Sequence, residues 1–489
     1  MGVSGLWKIL EPTARKMSFK QLNIQEGLTE NGGSTMVVGV DACLWLTQCQ
    51  KVFHKPNHAQ MGRNPELRIL FYKLAALNQV GVIAVFVFDG PNRPSVKRNK
   101  RVKVNPHWLV EEFREMIELF GFHSYTAPGE AEAELAYLNR RQHIGAVLTD
   151  DGDTVVFGAQ QVIRTLNVKD KDEVTLYKLQ SFESNPTGGL TLGGLLLIVL
   201  LNGGDYDTIG LAGCGINIAR GLACCGFGDS LLAARQNMAR AELEEFLIGW
   251  RTQLRKELAT NSKGRLPSKQ KMLSERFPDT FPSLRVLDLY VFPATSWSEE
   301  FLPPATDNWV VKLPSLPELA LYCRNKFGWS SLDINGKFKK LMFAGLFMRR
   351  LTLPFNHGQQ LHSHVVLGRF QEEYPPLSAF LIIQGKYSGA EANKLDTYKV
   401  KVLTGGLSQW ILSRLGPPSA AGSVSATASY WMPTRLMEHY FPVMVAKFNG
   451  VPAAVRSLSC TRLLQYSEQQ ARYCSPTAAS CRSHRPWGR

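Results

Sequence analysis

Apolar runs and helical periodicities alternate along the first 230 residues of this 489-residue chain. The segments TMVVGVDACLWL (35–46) and GVIAVFVFDG (81–90) are rich in β-branched and aromatic residues, which favours buried strands. Between them, residues 64–80 carry apolar positions at helical spacing. This order predicts a βαβ unit, in which a helix joins two parallel strands.

A second passage of the same kind follows. Residues 110–122 and 127–141 have the periodicity of amphipathic helices, and residues 144–150 read as a strand. Strands that alternate with helices predict a mainly parallel sheet covered by helices on both faces. Ligands of such sheets bind beyond the carboxyl ends of the strands, so the residues there are the first candidates for chemistry.

The pattern changes after residue 230. Residues 230–350 are mostly helical in pattern, and residues 251–276 hold eight basic side chains against two acidic ones. From about residue 351, short strand-like pieces predict a small β-rich domain, interrupted at 415–428 by a loop rich in Gly, Ser, Ala and Pro. Beyond about 455 the chain is polar and basic, which is typical of a tail.

Charge and cysteine content narrow the class of protein. Lysine and arginine outnumber aspartate and glutamate 56 to 41, for a net charge of +15, which favours a nucleic-acid partner but also fits an ordinary basic protein. The nine cysteines include no CxxC pair, and no secretory leader precedes them, so we expect free thiols. The most apolar run, at 190–204, is too short for a membrane span, and no membrane partner is expected.

Aspartates follow four apolar runs, which we interpret as strand ends. They are Asp41, Asp89, Asp150, Asp151, Asp153 and Asp205. Each alone is explained by a turn or a helix cap. If the strands are parallel, however, their ends meet at one edge, where packed carboxylates need a neutralising cation. Oxygen ligands favour Mg²⁺ or Mn²⁺, and two such ions about 4 Å apart support in-line attack on phosphodiesters.

Three glutamates in PGEAEAELA begin a predicted helix. On an ideal helix Glu130 and Glu134 share a face, whereas Glu132 points away. Acids at this position also interact favourably with the helix dipole without any metal. Spacing alone therefore leaves the choice between Glu132 and Glu134 open.

Six ordered motifs over about residues 1–240 resemble the XPG/flap-endonuclease family of structure-selective nucleases. They are MGVSGLWKILEP, VGVDACLWL, VFDGPNRP, APGEAEAELAYL, LTDDGDTVVFG and LNGGDYDTIGLAGCGINIARGLA. The sequence at 213–232, together with the β-rich segment that follows later in the chain, looks most like that of fungal Holliday-junction resolvases of the GEN/Yen type. The resemblance implies an α/β fold: a PIN-like 5′-nuclease core with a mainly parallel, helix-covered sheet, a helix-two-turn-helix element and a small β-rich C-terminal domain.

The resemblance also implies a metal site for two Mg²⁺ ions, which Mn²⁺ can replace. Its seven carboxylates would be Asp41, Asp89, Glu130, Glu132, Asp151, Asp153 and Asp205. The choice of Glu132 implies that the helix begins near it, or that Glu130 lies in the preceding turn. Asp150 and Asp207 then lie outside the metal site.

Basic and glycine-rich segments supply the other implied site residues. In DGPNRPSVKRNKRVK (89–103), which has six basic residues, Lys97 and Arg101 match the family's catalytic lysine and arginine. The glycine loop of the helix-two-turn-helix implies contact with DNA phosphates and a bound K⁺, although Asn217 and Ile218 replace the proline and lysine of relatives. Trp7 is expected to be a buried anchor. The expected DNA-binding residues are Gly2, Arg93, Arg98, Lys100, Gly213, Gly215 and Ile216.

Five regions follow from the patterns and the resemblance together. They are an XPG-N-like nuclease region at 1–110, an XPG-I-like region with the helix-two-turn-helix at 111–240, a basic helical extension at 241–350, a chromodomain-like β-rich module at 351–454 and a basic tail at 455–489.

The function implied is a Mg²⁺-dependent endonuclease that cuts branched double-stranded DNA in the nucleus. Only 41 positions separate Asp89 from Glu130, fewer than flap endonucleases use for the arch over a threaded 5′ flap. An open site fits a four-way junction, on which two copies of the chain would act as a homodimer. The alternatives are a 5′ flap endonuclease of replication or excision repair, a catalytically inactive binder of branched DNA, and an RNase on a related fold.

Overall fold

The computed structural model of the chain describes residues 2–27, 35–53, 62–102, 105–164, 172–179, 190–352, 365–367, 370–372, 380–388, 395–416 and 426–450. The chain forms two compact units, which we describe separately. The described residues of the second unit are 380–388, 396–403 and 427–450, and the first unit contains the others.

A seven-stranded sheet forms the centre of the first unit. The strands of this unit's N-terminal part are β1 (Arg15–Ser18), β2 (Val37–Asp41), β3 (Ile83–Phe88), β4 (Val96–Lys97), β5 (Lys100–Arg101), β6 (His123–Thr126), β7 (Ala146–Leu148), β8 (Gln161–Arg164) and β9 (Glu173–Lys178). The sheet order is β1-β9-β8-β7-β2-β3-β6, and β4 pairs with β5 in a separate hairpin. The five strands from β8 to β6 pair in parallel, whereas β9 pairs antiparallel with β8 on one side and with β1 on the other. The mainly parallel sheet expected from the sequence is confirmed.

Helices pack around this sheet and continue beyond it. In chain order they are α1 (Leu6–Leu10), α2 (Phe19–Gly27), α3 (Ala42–Phe53), α4 (Pro65–Val80), α5 (Val110–Leu119), α6 (Ala131–Arg140), α7 (Asp153–Val156), α8 (Leu192–Asn202), α9 (Ile216–Ala223), α10 (Phe227–Asn237), α11 (Arg240–Thr260), α12 (Lys271–Glu275), α13 (Leu284–Val291), α14 (Leu316–Phe327), α15 (Ser331–Leu341), α16 (Phe343–Thr352) and α17 (Gly405–Arg414). Short 3₁₀ turns occupy Glu11–Thr13 and Thr306–Asn308. A two-stranded hairpin, β10 (Val365–Leu367) and β11 (Phe370–Glu372), follows α16.

Close packing of α6 on the middle of the sheet depends on a glycine in β2. A Cβ added at Gly39 would lie 2.4 Å from Leu135 Cδ2 and 2.5 Å from Ile144 Cδ1, so these two side chains would have to move. The side chain of Leu135 is fully buried there.

Two segments differ from the pattern-based expectation. The strand predicted over 35–46 ends at Asp41, because Asp41 Oδ1 accepts a hydrogen bond from Leu44 N at 2.8 Å and so caps α3. The apolar run before Asp205 is the helix α8 and not a strand; it is apolar on all sides because nine consecutive residues, 193–201, are buried. Three strands and one helix, instead of four strands, therefore precede the aspartates.

The second unit is a three-stranded antiparallel sheet with two helices. It comprises β12 (Phe380–Tyr387), β13 (Thr397–Leu403), β14 (Thr427–Pro433), α18 (Thr434–Tyr440) and α19 (Pro442–Phe448). A small β-rich C-terminal domain is thus confirmed. Along β14, Tyr430 and Met432 are buried, whereas Trp431 between them is half exposed, because side chains alternate between the two faces of a strand.

Several expectations concern residues outside the described part. The basic tail at 455–489 lies there, as does most of the loop insertion at 415–428. The cysteines that the structure describes form no disulfide, and no described helix is long and apolar enough to cross a membrane.

Candidate metal centre

Three neighbouring parallel strands deliver three aspartates to one edge of the sheet. Asp41 is the last residue of β2, Asp89 follows β3 directly, and Asp151 lies three residues beyond the end of β7. Because these strands are adjacent in the order β7-β2-β3, their carboxyl ends lie side by side. The crowding is visible in the pKa of Asp41, which burial and the charges of Asp89 and Asp151 raise to about 7.

Helix ends supply the acids that complete the group. Glu132 lies in the first turn of α6, Asp153 begins α7, and Asp205 follows α8. All three are buried, and each offers a carboxylate oxygen within 4.8 Å of the other two. Sequence reasoning singled out all three, and the structure brings them into one small volume.

Asp153 shows what kind of group this volume suits. Both of its carboxylate oxygens are buried, and neither has a hydrogen-bond partner among the described residues. Burial, together with the charges of Asp205 and Asp151, raises the pKa of Asp153 well above its usual range. Buried oxygen atoms without hydrogen-bond donors, in a cluster whose possible metal ligands are all carboxylates, fit a hard divalent cation such as Mg²⁺.

Lys97 is the cation that reaches farthest into the acidic group. Its Nζ lies 2.7 Å from Glu130 Oε1, 2.5 Å from Glu132 Oε1 and 3.0 Å from Asp205 Oδ2. Burial lowers the pKa of Lys97, but the three carboxylates together raise it well above its usual value, so the ammonium stays charged. About a quarter of the side chain remains exposed.

A second cation at the site is Arg98, and this differs from the sequence-based choice of Arg101. Arg98 donates to both carboxylate oxygens of Asp205, from Nε at 2.7 Å and from Nη2 at 2.8 Å. Arg98 and Asn99 form the left-handed turn between β4 and β5, with φ of 54° and 57°. This turn directs Arg98 toward the acids, whereas Arg101, in β5, is exposed to solvent.

The start of α6 decides which glutamate faces the site. Glu130 has an extended backbone and precedes the helix, because Asp89 Oδ1 accepts the N–H of Ala131 at 2.9 Å. With the helix beginning at Ala131, Glu132 points to Lys97. Glu134 points elsewhere and accepts hydrogen bonds from Tyr125 OH at 2.9 Å and from the backbone N–H of Ser296 at 2.8 Å. In the structure, the position of the helix start thus directs Glu132, and not Glu134, toward the other acids.

Gly2 lies directly against two of the aspartates. It has a φ of 79°, and an added Cβ would lie 2.5 Å from Asp151 Oδ1 and 2.6 Å from Asp153 Oδ1. A side chain at this position would therefore enter the metal centre. Trp7 anchors this segment: its indole N–H donates to Asp150 O at 3.3 Å, and its ring packs against Tyr177.

The remaining candidates lie around the centre. Asp150 interacts with Arg164 Nε at 3.3 Å, and Asp207 Oδ1 accepts the N–H groups of its own turn. The glycine loop before α9 is exposed at Gly213 and Gly215, and Gly213 has a φ of 84°. The expected DNA-contact residues also include three at the edge of this region. They are Arg93, which pairs with Asp89 at 3.2 Å, the exposed Lys100, and the partly buried Ile216.

Tyr206 is a site residue that the sequence reasoning missed. Its hydroxyl donates to Glu130 Oε2, and burial with the charges of Glu130 and Glu132 raises its pKa well above the usual range. Its only sequence signal was its position next to Asp205.

The crowded acids lead to a prediction about stability without metal. Burial is the main cause of the raised pKa values of Asp41, Glu132 and Asp153, so the folded state holds protons that the unfolded chain releases. The free energy of unfolding therefore falls as the pH rises from about 4 to about 7, which is the reverse of a salt-bridged aspartate. With chelator present, we expect the melting temperature to fall between about pH 5 and about pH 7, and Mg²⁺ to raise it most at the upper end.

Thermal unfolding at several pH values, with chelator or Mg²⁺, measures this. Asp150→Asn, which changes an acid outside the centre, should leave the pH trend unchanged. A melting temperature that rises over the same interval in chelator would contradict the proposed crowding.

Comparison with known proteins adds an independent finding. The XPG N-terminal domain matches residues 1–107, and the XPG I-region matches residues 121–205. The chain is 34% identical over 254 residues to the human protein named flap endonuclease GEN homolog 1, covering 47% of this chain and 26% of the relative. It is 30% identical over 249 residues to flap endonuclease GEN-like 1 of Arabidopsis thaliana, covering 45% and 38%. The matched part thus spans well under half the length of these relatives.

Solved structures of similar fold cover more of the chain. One of a eukaryotic junction-resolving enzyme, GEN-1, with cesium has a TM-score of 0.71 at 26% identity and covers 92% of this chain and 99% of the other. A second, of the Holliday junction-resolving enzyme GEN1 with product DNA and Mg²⁺, has a TM-score of 0.69, the same identity and the same coverage. The catalytic core of Rad2 with DNA, at 23% identity and a TM-score of 0.51, shares the fold.

Proposed function

We propose that this chain, which belongs to the XPG/flap-endonuclease family, is a Mg²⁺-dependent structure-selective endonuclease that hydrolyses phosphodiesters of branched DNA. The observation that carries the proposal is the gathering of buried carboxylates from distant parts of the chain around Asp153, whose oxygens have no described partner. A relative solved with product DNA and Mg²⁺ supports the same chemistry. The products would carry 5′-phosphate and 3′-hydroxyl ends.

The metal ligands would be the seven acids of the centre, directly or through water. They are Asp41, Asp89, Glu130, Glu132, Asp151, Asp153 and Asp205. When bound, two divalent cations would lower the pKa of the attacking water and stabilise charge on the leaving oxygen. The use of Mn²⁺ in place of Mg²⁺ is supported by a relative solved with both ions.

Lys97 and Arg98 would act on the substrate phosphate and on the acids at once. Lys97 holds Glu130, Glu132 and Asp205 together, while the exposed part of its side chain allows the ammonium to contact a non-bridging oxygen of the scissile phosphate. There it would offset charge that develops in the transition state. Arg98, 39% exposed and held to Asp205, is positioned for the same role. Arg101 and Lys100, at the exposed end of the hairpin, would contact the DNA backbone.

The DNA-facing surface would extend from the metal centre to the glycine loop. A Cβ at Gly5 would lie 3.4 Å from Ile216, so the N-terminal segment and the start of α9 are neighbours. Duplex phosphates at Gly213 and Gly215 could therefore continue past Gly2 to the acids, with K⁺ bridging phosphate and backbone. Selectivity would come from DNA shape, because no described element offers a recognition helix to a major groove.

Four-way junctions and 5′ flaps are the proposed substrates, in repair and recombination in the nucleus. A two-residue turn joins β4 to β5 in the connection between Asp89 and α5, so the described part of this connection forms a small hairpin. Such a short gateway suits a junction without a free end to thread. On junctions, two copies would act as a homodimer. The division of the chain into five regions, given above from the sequence, remains a prediction.

Cleavage of a labelled DNA panel tests the function. A sealed four-way junction, a 5′ flap and a linear duplex are incubated with Mg²⁺, Ca²⁺ or chelator, and products are resolved on a sequencing gel. We expect paired, symmetrical nicks in the junction and one cut near the flap base, both only with Mg²⁺. Cleavage of the flap alone would favour the flap-endonuclease alternative, and binding without cleavage would favour the inactive binder.

A further inference from the structure

A groove of about 1380 Å³ runs along the outer edge of the central sheet, and none of the seven acids lines it. Its floor is β6, the last strand of the sheet, which among the described strands pairs with β3 alone. One wall is α5, and the other is formed by α14 and residues 301–312. An edge strand at the bottom of a groove can bind an added strand.

Backbone groups of β6 are directed into this groove. Ala127 N–H donates to Phe88 O at 2.9 Å, toward β3. Because successive residues of a strand alternate, Ser124 and Thr126 present their N–H and C=O groups to the other side. No backbone hydrogen bond from either residue to a described segment on this outer side is present. The outer edge of β6 is therefore open to pairing.

The wall formed by α5 is acidic although the chain as a whole carries a net charge of +15. Glu111, Glu115 and Glu118 line the groove, are exposed, and lie on one helical face at spacings of four and three. No described ion pair involves any of them. Burial and the charges of Glu112 and Glu118 raise the pKa of Glu115, and Lys326 opposes this increase only in part, so a further cation would stabilise the carboxylate.

The groove is lined by five acidic side chains and by three basic ones, Arg114, Lys312 and Lys326, so its net charge is negative. This charge disfavours nucleic acid and favours a cationic peptide. Phosphates would be repelled by the acidic wall, whereas lysine or arginine side chains would pair with it. The three glutamates span about 10 Å along α5, and three side chains at alternate positions of an extended strand span about 13 Å. The long side chains of lysine and arginine can make up this difference, so each cation can reach one glutamate. Tyr125, stacked on Trp309 with ring centroids 6.0 Å apart, offers the opposite side an apolar surface.

We propose that this groove binds an extended, lysine- or arginine-rich peptide of a partner protein, which pairs with the outer edge of β6 and places cations at alternate positions against Glu111, Glu115 and Glu118. The chain's own residues 451–489 fit this less well. They contain six arginines, but no two of them are two positions apart, and Pro486 interrupts the densest group. The surface is separate from the metal centre and adds a protein partner to the proposed nuclease.

Fluorescence anisotropy with two synthetic peptides tests the proposal on the full chain. One ten-residue peptide alternates lysine and threonine; the other has the same composition with the lysines in one block. We expect the alternating peptide to bind at least tenfold more tightly, because only it can pair as a strand and face the glutamates together. Equal affinities of the two peptides would show that binding depends on charge alone and not on strand pairing, which would overturn the proposal.

Two variants locate the binding. Glu111→Gln with Glu115→Gln and Glu118→Gln should weaken the alternating peptide at least tenfold, and so should Ser124→Pro, which removes one outward N–H without touching the pairing with β3. The matched control, Glu244→Gln with Glu245→Gln and Glu275→Gln, changes three exposed acids elsewhere and should bind as the wild type. Melting temperatures exclude unfolding.

Three outcomes would count against the inference. Undiminished binding by both groove variants would place the peptide elsewhere. Binding only after truncation behind Gly450 would assign the groove to the chain's own C-terminal segment, and self-association lost in the glutamine variant would assign it to a second copy. DNA cleavage should be unchanged in the glutamine variant, so failure here is distinguishable from failure of the nuclease proposal.

Discussion

Asp151→Asn with Asp153→Asn should abolish cleavage of branched DNA while leaving its binding intact. Both side chains are buried in the acidic centre, and the oxygens of Asp153 have no described hydrogen-bond donor, so we propose them as cation ligands. Loss of two ligands should lower the single-turnover cleavage rate in Mg²⁺ by about a thousandfold or more. In other enzymes, removal of a single group that stabilises the transition state already causes a rate loss approaching this size. Removing two negative charges should also leave DNA affinity equal or higher.

The matched control for this variant is Asp150→Asn, one position away. The Asp150 side chain is 39% exposed and pairs with Arg164, so its loss should change the cleavage rate little. The melting temperature of the double variant in chelator should not fall, because two mutually repelling buried acids are neutralised. Cleavage by the double variant at the wild-type rate would reject the assignment of these aspartates as metal ligands.

Glu132→Gln and Glu134→Gln, two residues apart on α6, should have opposite effects. Glu132 faces Lys97 at 2.5 Å, and we expect its replacement to reduce the cleavage rate about a hundredfold or more with normal stability. Glu134 accepts hydrogen bonds from Tyr125 and Ser296, so its replacement should retain cleavage and lower the free energy of unfolding by about 1 to 2 kcal/mol.

Single-turnover cleavage and urea unfolding of both variants measure the contrast. The comparison separates a catalytic from a structural carboxylate within one helical turn. If Glu134→Gln lost cleavage and Glu132→Gln kept it, the observed start of α6 at Ala131 would not describe the working enzyme.

Much of the centre follows from strand order alone. Asp41, Asp89 and Asp151 follow apolar runs, and once the runs are placed in a parallel sheet their proximity is a consequence of topology. The run before Asp205 was misread as a strand, because a short, wholly apolar segment is compatible with both a buried strand and a buried helix. The aspartate still reached the site, since α8 ends at the same edge.

Other features depend on contacts that no local pattern contains. Glu132 faces the site because α6 begins at Ala131. The N–H of Ala131 donates to Asp89, which lies 42 positions earlier in the chain. Arg98 replaces Arg101 at the acids because the turn at Arg98 and Asn99 has two left-handed residues, and only the folded hairpin reveals its direction. Gly2 was expected at the DNA, but its contact with Asp151 and Asp153 becomes visible only in three dimensions.

The most direct measurement is anomalous scattering from a crystal of the chain with a cut junction and Mn²⁺. Our account predicts two Mn²⁺ peaks among the seven carboxylates, one of them in contact with Glu132, Asp153 and Asp205. Peaks at another site, or a centre that stays free of metal while Lys97 and Arg98 keep their ion pairs with Asp205, would contradict it.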